Sequence, residues 1–181
     1  MIYQRVQFDL GACLLRPWRD GDQPALQRHA NDWEVARWLR DRFPHPYTAD
    51  DADEWVEYAS TALLGQVFAI EVAGEAVGGV GLVPGEDIFR RSAEVGYWLG
   101  RSQWGQGLAP LAVQALSRYA LEDRQFIRLF AGVFSGNHRS GRVLAKAGYT
   151  LEGVRRAAVY KGGQLLDEEV WVRLAPLPQE A

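Results

Sequence analysis

The sequence has few residues that could form disulfides or bind metals. Cys13 is the one cysteine among 181 residues, so an intrachain disulfide and a cysteine metal cluster are both excluded. His29, His45 and His138 are not spaced as metal ligands, and no metal site is predicted. This low cysteine content is typical of proteins from a reducing compartment, and we expect a cytoplasmic location.

Long apolar runs and a large excess of charge are also missing. No stretch reaches the roughly 20 apolar residues of a membrane span, and the first residues lack the basic start and apolar run of a signal peptide. Lysine and arginine number 20 against 23 acidic residues, a formal net charge of −3. This charge offers no extended basic surface for nucleic acid. We therefore expect neither a membrane nor a nucleic acid as a partner.

Apolar and aromatic residues are plentiful enough for a core: 48% of the chain is hydrophobic, and seven residues are tryptophan. The length suits one domain spanning residues 1–181. Apolar spacing and turn residues predict about seven strands, which are Leu14 to Pro17, Val67 to Val72, Val77 to Val83, Ser92 to Leu99, Arg128 to Val133, Leu151 to Tyr160 and Leu165 to Leu174.

Helices are predicted among these strands. Asp20 is expected to cap a helix running toward Ala30, and Thr48 one that reaches about Leu64. Two further helices are predicted over Pro110 to Leu121, with Pro110 as its first residue, and over Ser140 to Lys146. The order of elements indicates a mixed α/β fold.

A glycine turn, Trp104-Gly105-Gln106-Gly107-Leu108-Ala109, lies between a predicted strand and a predicted helix. Glycines let backbone N–H groups converge on an anion, and a helix N-terminus adds partial positive charge. A tight loop without a ligand would explain the same pattern. No Gly-Lys-Ser/Thr follows, and Pro110 occupies the place of the third dinucleotide-fold glycine, so both common nucleotide motifs are disfavoured.

A second segment runs from Asn137 to Tyr149, one strand after the glycine turn. Asn137 ends a strand and Ser140 starts a helix, so their side chains are expected to face the same opening. Either residue could equally be an ordinary helix cap.

Together these segments resemble the GCN5-related N-acetyltransferase (GNAT) superfamily, and within it the RimJ/RimL type of ribosomal-protein N-terminal acetyltransferases. The resemblance covers most of the chain, including Leu14 to Trp18, Phe43 to Thr48, Ala93 to Leu99, Trp104 to Ala109, Asn137 to Tyr149 and Leu151 to Gly153. It implies a splayed, mostly antiparallel sheet flanked by helices, with acetyl-coenzyme A beside the strand that contains Glu94. The amides of Trp104 through Gly107 and of Ala109 would hold the pyrophosphate. The cofactor-binding residues implied are Trp98, Leu99, Trp104, Gly105, Gln106, Gly107, Leu108, Ala109, Asn137, Arg139, Ser140 and Arg142, although the arginines could be plain surface charge.

The resemblance also implies direct attack of an amine on the thioester, without an acyl-enzyme, so Cys13 is not expected to be a nucleophile. Glu94 is the predicted general base, although an ion-paired or solvated glutamate and a water chain are alternatives. Ser140 would hydrogen-bond the leaving thiolate, and Asn137 would contact pantetheine or substrate. The sequence departs from relatives at two places, with Leu144 where many have a tyrosine acid and Val159 where some have a catalytic glutamate.

The substrate side is expected to use aromatic side chains, which could equally be core residues: Trp33, Trp38, Tyr47, Trp98 and Tyr160. Tyr149 is expected in the core. The predicted acceptor is a primary amine, including a protein N-terminal α-amine. Two alternatives remain open, acetylation of a small amine and a sensor that binds acetyl-CoA without turnover. A monomer and a homodimer are both compatible with the sequence.

Overall fold

The computed structural model describes residues 6–61 and 65–176. The described residues form two compact units. The first contains the residues up to Gly81 together with Tyr97–Ala112, and the second contains Leu82–Gly96 together with the residues from Val113 onward.

Within residues 6–61 and 65–176, eight strands form one sheet in the order β1-β2-β3-β4-β5-β6-β8-β7. Their bounds are β1 Phe8–Asp9, β2 Leu14–Arg16, β3 Val67–Val72, β4 Glu75–Pro84, β5 Ser92–Leu99, β6 Arg128–Phe134, β7 Thr150–Lys161 and β8 Gln164–Leu174. Every predicted strand is present, and the sheet is mixed and mostly antiparallel as expected. The prediction missed β1, because two residues are too few to show a periodic pattern.

The part of the chain that the structure describes also contains five α-helices: α1 Gln23–Ala30, α2 Trp33–Ala36, α3 Ala49–Thr61, α4 Leu108–Glu122 and α5 His138–Lys146. Thr48 caps α3 as predicted, since its hydroxyl accepts from the Asp51 N–H and the Asp51 carboxylate accepts from the Thr48 N–H. The predicted extension of α3 to Leu64 lies outside the described residues.

The prediction that α4 begins at Pro110 was wrong by one half turn. The helix begins at Leu108, and the Leu111 N–H donates to the Gly107 carbonyl at 3.4 Å. Proline fits in the first helical turn because its missing N–H would have no intrahelical acceptor there. The helix therefore starts directly after the glycine turn.

The first unit places Asp22, rather than the predicted Asp20, at the N-terminus of α1. Both carboxylate oxygens of Asp22 accept from the Arg16 guanidinium at 2.7 Å, and the Arg19 N–H donates to Asp22 at 3.0 Å. Arg16 also reaches Glu71 at 2.5 Å. Asp22 is selected over Asp20 because this buried ion-pair cluster ties α1 to strands β2 and β3.

In the second unit, β5 and β6 form a short parallel pair. Its three residue pairs run from Ser92↔Arg128 to Glu94↔Phe130. Strand β6 continues past that point and remains paired with β8 as far as Phe134. The pairing of β5 with β6 therefore ends at Glu94.

The terminal hairpin of the second unit turns at Gly162 and Gly163 as predicted, with φ values of 57° and 81°. Positive φ at both turn positions suits glycine and matches the twist of a two-residue hairpin. Strand β7 also shifts register between Arg155 and Val159, where the Asp167 carboxylate accepts from the Ala157 N–H at 2.9 Å. This carboxylate holds the irregular stretch in place.

Candidate active site

The glycine turn of the first unit adopts backbone conformations that require glycine. Gly105 and Gly107 have φ values of 82° and 78°, in the left-handed region that L side chains rarely adopt. No heavy atom lies within 4 Å of a Cβ built at either residue. The requirement for glycine therefore comes from backbone conformation and not from lack of space.

Five consecutive backbone amides follow, from Gly105 to Ala109. None of them donates to an acceptor in residues 6–61 or 65–176. Three of the residues, Gly105 to Gly107, are exposed, and the 15-residue helix α4 begins at Leu108. Unpaired amides at a helix N-terminus favour an anion, because the helix dipole adds partial positive charge.

The backbone amide of Trp104 was predicted to hold the pyrophosphate together with its neighbours, but it already has an acceptor. Its N–H donates to the Arg101 carbonyl at 3.2 Å, within the short 3-10 turn at Arg101–Gln103. Its indole N–H donates to the Leu99 carbonyl at 2.7 Å. Trp104 therefore fastens the turn to the end of β5, and its amide is already occupied.

The end of β5 packs closely against β4 in the first unit. A Cβ at Gly79 would lie 2.9 Å from the Trp98 indole nitrogen, and one at Gly78 would lie 2.5 Å from the Trp98 carbonyl oxygen. The rings of Trp98 and Phe43 meet edge to face at 5.4 Å, and Leu99 is buried. Trp98 and Leu99, both predicted to bind cofactor, are thus held rigidly ahead of the glycine turn.

The aromatic residues predicted for the substrate side have different environments. Tyr47 is 5% exposed within the core of the first unit, although one edge lines an open pocket of about 270 Å³ beside Trp55 and Tyr58. Trp33 is exposed. The Trp38 ring lies 4.8 Å beneath the Arg37 guanidinium. In the second unit Tyr160 is 71% exposed.

Glu94 lies in the second unit, on the face of β5 opposite two buried residues. Ala93 and Val95 are buried, whereas Glu94 is half-buried and Gly96 is exposed. This alternation agrees with the strand period of two. The Glu94 side chain therefore projects from the face that it shares with Phe130.

The two polar residues of the second predicted segment form the N-terminus of α5. The Asn137 side chain caps the helix, and its Oδ1 accepts from the Ser140 N–H at 3.3 Å. Arg139 and Arg142 lie exposed on the first turns of α5. The cap fixes Asn137 relative to Ser140, since one residue accepts a hydrogen bond from the other.

Three other residues named in the sequence analysis are buried: Tyr149, which was predicted to lie in the core, Cys13 and Leu144. Tyr149 is buried, and its hydroxyl lies 2.7 Å from the Ser117 hydroxyl; burial raises the pKa of Tyr149 to about 12. Burial also raises the pKa of the Cys13 thiol, which disfavours the thiolate that a nucleophile needs. Leu144 is fully buried. In the described part of the chain no group of three potential metal ligands occurs.

One carboxylate, that of Glu168, was not predicted from the sequence. The Glu168 side chain on β8 is 15% exposed, and its Oε2 accepts from Arg155 at 3.0 Å. Its Oε1 overlaps the position that a Cβ would take at Gly132. The strand alternation of β8 could have assigned Glu168 to a face, but the glycine beneath it becomes apparent only from the strand register.

Comparison with known proteins gives consistent matches. A family model described as "Acetyltransferase (GNAT) domain" matches residues 13–150. The chain is 36% identical over 86 residues to the Bacillus subtilis protein named Probable N-acetyltransferase YjcK, covering 48% of each chain. It is 30% identical over 84 residues to the ribosomal-protein-serine acetyltransferase of Escherichia coli, covering 46% of this chain and 47% of that protein. These matches span about half the length of the curated relatives.

A solved structure is similar to this protein over most of the chain. Mycobacterium smegmatis RimJ in complex with CoA-disulfide is 26% identical and aligns with a TM-score of 0.78, over 90% of this chain and 82% of that chain. Within residues 6–61 and 65–176, no helix is long and apolar enough to cross a membrane.

Proposed function

The chain belongs to the GNAT acetyltransferase family, and on that premise we propose that it transfers the acetyl group of acetyl-CoA to a primary amine. We further propose that residues 1–181 act as one acetyltransferase domain in the cytoplasm, as a monomer or homodimer. The reaction is direct: the neutral amine attacks the thioester carbonyl, and coenzyme A leaves as the thiol.

The observation that supports this proposal most strongly is the run of five amides from Gly105 to Ala109, which have no acceptor within the described residues. A pyrophosphate supplies the acceptors that such amides need, with several oxygens and a negative charge suited to the N-terminus of α4. The related RimJ structure contains a coenzyme A derivative, which agrees with this assignment. Trp104 contributes by anchoring the turn and not by its amide.

The remaining proposed roles belong to residues of the second unit. Glu94 acts as general base for the acceptor amine, Ser140 hydrogen-bonds the leaving sulfur, and Asn137 contacts pantetheine or substrate while it caps α5. Arg139 and Arg142 attract the phosphates of the cofactor. An α-amine has an ordinary pKa of about 8 and costs only about 1.4 kcal/mol to deprotonate at pH 7, so a weak base suffices.

The acceptor that we propose is a protein N-terminal α-amine. This choice is supported by the similarity to the ribosomal-protein-serine acetyltransferase. Val159, at the place where some ribosomal-type relatives have a catalytic glutamate, argues against a ribosomal protein in particular as the source of that N-terminus. A small amine, such as a polyamine, is the alternative acceptor that the experiment must separate from a peptide.

The experiment is a thiol-release assay with acetyl-CoA and four acceptors: a hexapeptide beginning with serine, one beginning with alanine, Nα-blocked lysine and spermidine. We expect turnover with a hexapeptide. In Glu94→Gln, kcat should fall most at pH 6, by up to about 10²-fold, and approach the wild-type value by pH 9, where an α-amine is already neutral, whereas Glu122→Gln, at the far end of α4, should match the wild type. Background thiol release with every acceptor, together with tight acetyl-CoA binding, would show a sensor instead of an enzyme.

A further inference from the structure

The second unit contains a carboxylate to which the reaction outlined above gives no role. Resting on the proposed function, we propose that Glu168 binds the ammonium group of the acceptor amine and thereby selects charged amines. Glu168 Oε1 would accept an N–H···O hydrogen bond from the ammonium before the amine is deprotonated.

The strand register places Glu168 on the same sheet face as Glu94. Directly paired residues of neighbouring strands point to the same face, as do residues i and i+2 of one strand. Glu94 pairs with Phe130, and Glu168 pairs with Phe134. Since Phe130, Gly132 and Phe134 alternate along β6, both carboxylates project from one face.

Gly132 gives the Glu168 carboxylate its position. Oε1 overlaps the place of a Cβ at residue 132, so the carboxylate occupies the space that any larger residue would fill. Gly132 is two residues, or about 7 Å, beyond Phe130 on β6. The pairing of β5 with β6 ends at Phe130, so the Glu168 carboxylate lies just past the point where β5 leaves β6.

One oxygen of Glu168 is held by the protein and the other is available. The Arg155 guanidinium donates to Oε2 at 3.0 Å, whereas no donor among residues 6–61 and 65–176 reaches Oε1. Arg155 thus orients the carboxylate while it leaves Oε1 for a ligand. An ammonium group suits Oε1 because a charge-assisted hydrogen bond to a carboxylate is about twice as strong as a neutral one.

The two acidic neighbours of Glu168 in β8 have structural partners. Asp167 accepts from the Ala157 N–H and from Arg156. Glu169 accepts from the Trp171 indole at 2.9 Å, and alternation places it on the opposite face. Glu169 is therefore a matched control, because it carries the same charge one residue away and lies on the other face of the sheet.

The experiment compares three variants in the thiol-release assay with the alanine-initiated hexapeptide and spermidine. Glu168→Gln removes the charge and keeps the side-chain shape. Gly132→Ala keeps the charge but displaces the carboxylate, and this should cost little stability because the clash is with the flexible end of a side chain. Glu169→Gln is the control. Melting temperatures of all three report folding.

We expect KM for the amine to rise about tenfold in both Glu168→Gln and Gly132→Ala, with kcat changed less than about threefold and KM for acetyl-CoA unchanged. Glu169→Gln should keep the wild-type KM. If wild-type protein turns over while Glu168→Gln and Gly132→Ala also keep its amine KM, the role of Glu168 is refuted and the proposed function stands. If wild-type protein fails with every acceptor, the proposed function falls and the Glu168 assignment falls with it.

Discussion

Replacing Gly107 by alanine should lower either the stability of the protein or its affinity for coenzyme A, through the backbone alone. Its φ of 78° is costly for an L residue, at about 1–2 kcal/mol, and no atom lies within 4 Å of the new methyl group. The expected penalty is therefore conformational. If the turn keeps its shape, the melting temperature falls by roughly 2–8 °C; if the turn relaxes, its amides change direction and the Kd for coenzyme A rises about 5- to 30-fold.

Calorimetry of coenzyme A binding and a thermal melt measure these two outcomes in one preparation. Gly153→Ala is the matched control, because its Cβ also meets nothing within 4 Å and its φ lies outside the left-handed region. Gly107→Asn should recover part of the loss, since asparagine tolerates left-handed conformations better than alanine. A Gly107→Ala protein with wild-type melting temperature and wild-type Kd would refute the reasoning.

Two further predictions concern stability. Arg16→Met should lower the free energy of unfolding by about 3–5 kcal/mol in denaturant titration, since it leaves Asp22 buried without its partner, whereas Arg37→Met, at an exposed pair, should cost less than about 1 kcal/mol. Above pH 10 the unfolded chain loses the Tyr149 proton, whereas the folded protein retains it until about pH 12. The free energy of unfolding should therefore fall as the pH rises between these two values, by at most about 3 kcal/mol. Tyr149→Phe should remove this part of the pH dependence; an unchanged slope would contradict the assignment.

Local patterns in the sequence predict much of this fold. Strand β5, Ser92–Leu99, agrees with the prediction at both ends, because buried residues alternate with less buried ones over its first five residues. The Gly162-Gly163 turn was predicted from residue type alone. The residue at the N-terminus of α1 was not predicted correctly, because the position of Asp22 there depends on Arg16, a residue on another element.

The candidate site, like the fold, was only partly predictable from the sequence. The glycine turn was predictable, since its motif is contiguous and its chemistry lies in the backbone. The occupied amide of Trp104 was not, because it depends on a 3-10 turn that has no sequence signature of its own. The position of the Glu168 carboxylate over Gly132 requires the register of two strands, β6 and β8, which are far apart in sequence.

The most direct test of the account is the response of individual backbone amides to coenzyme A in a two-dimensional ¹⁵N–¹H spectrum of the whole chain. The amides of Gly105 to Ala109 should show the largest downfield proton shifts at saturation, while the Trp104 amide, already bonded to Arg101, should shift much less. Saturable binding that leaves those five resonances in place would contradict the central claim that they hold the pyrophosphate.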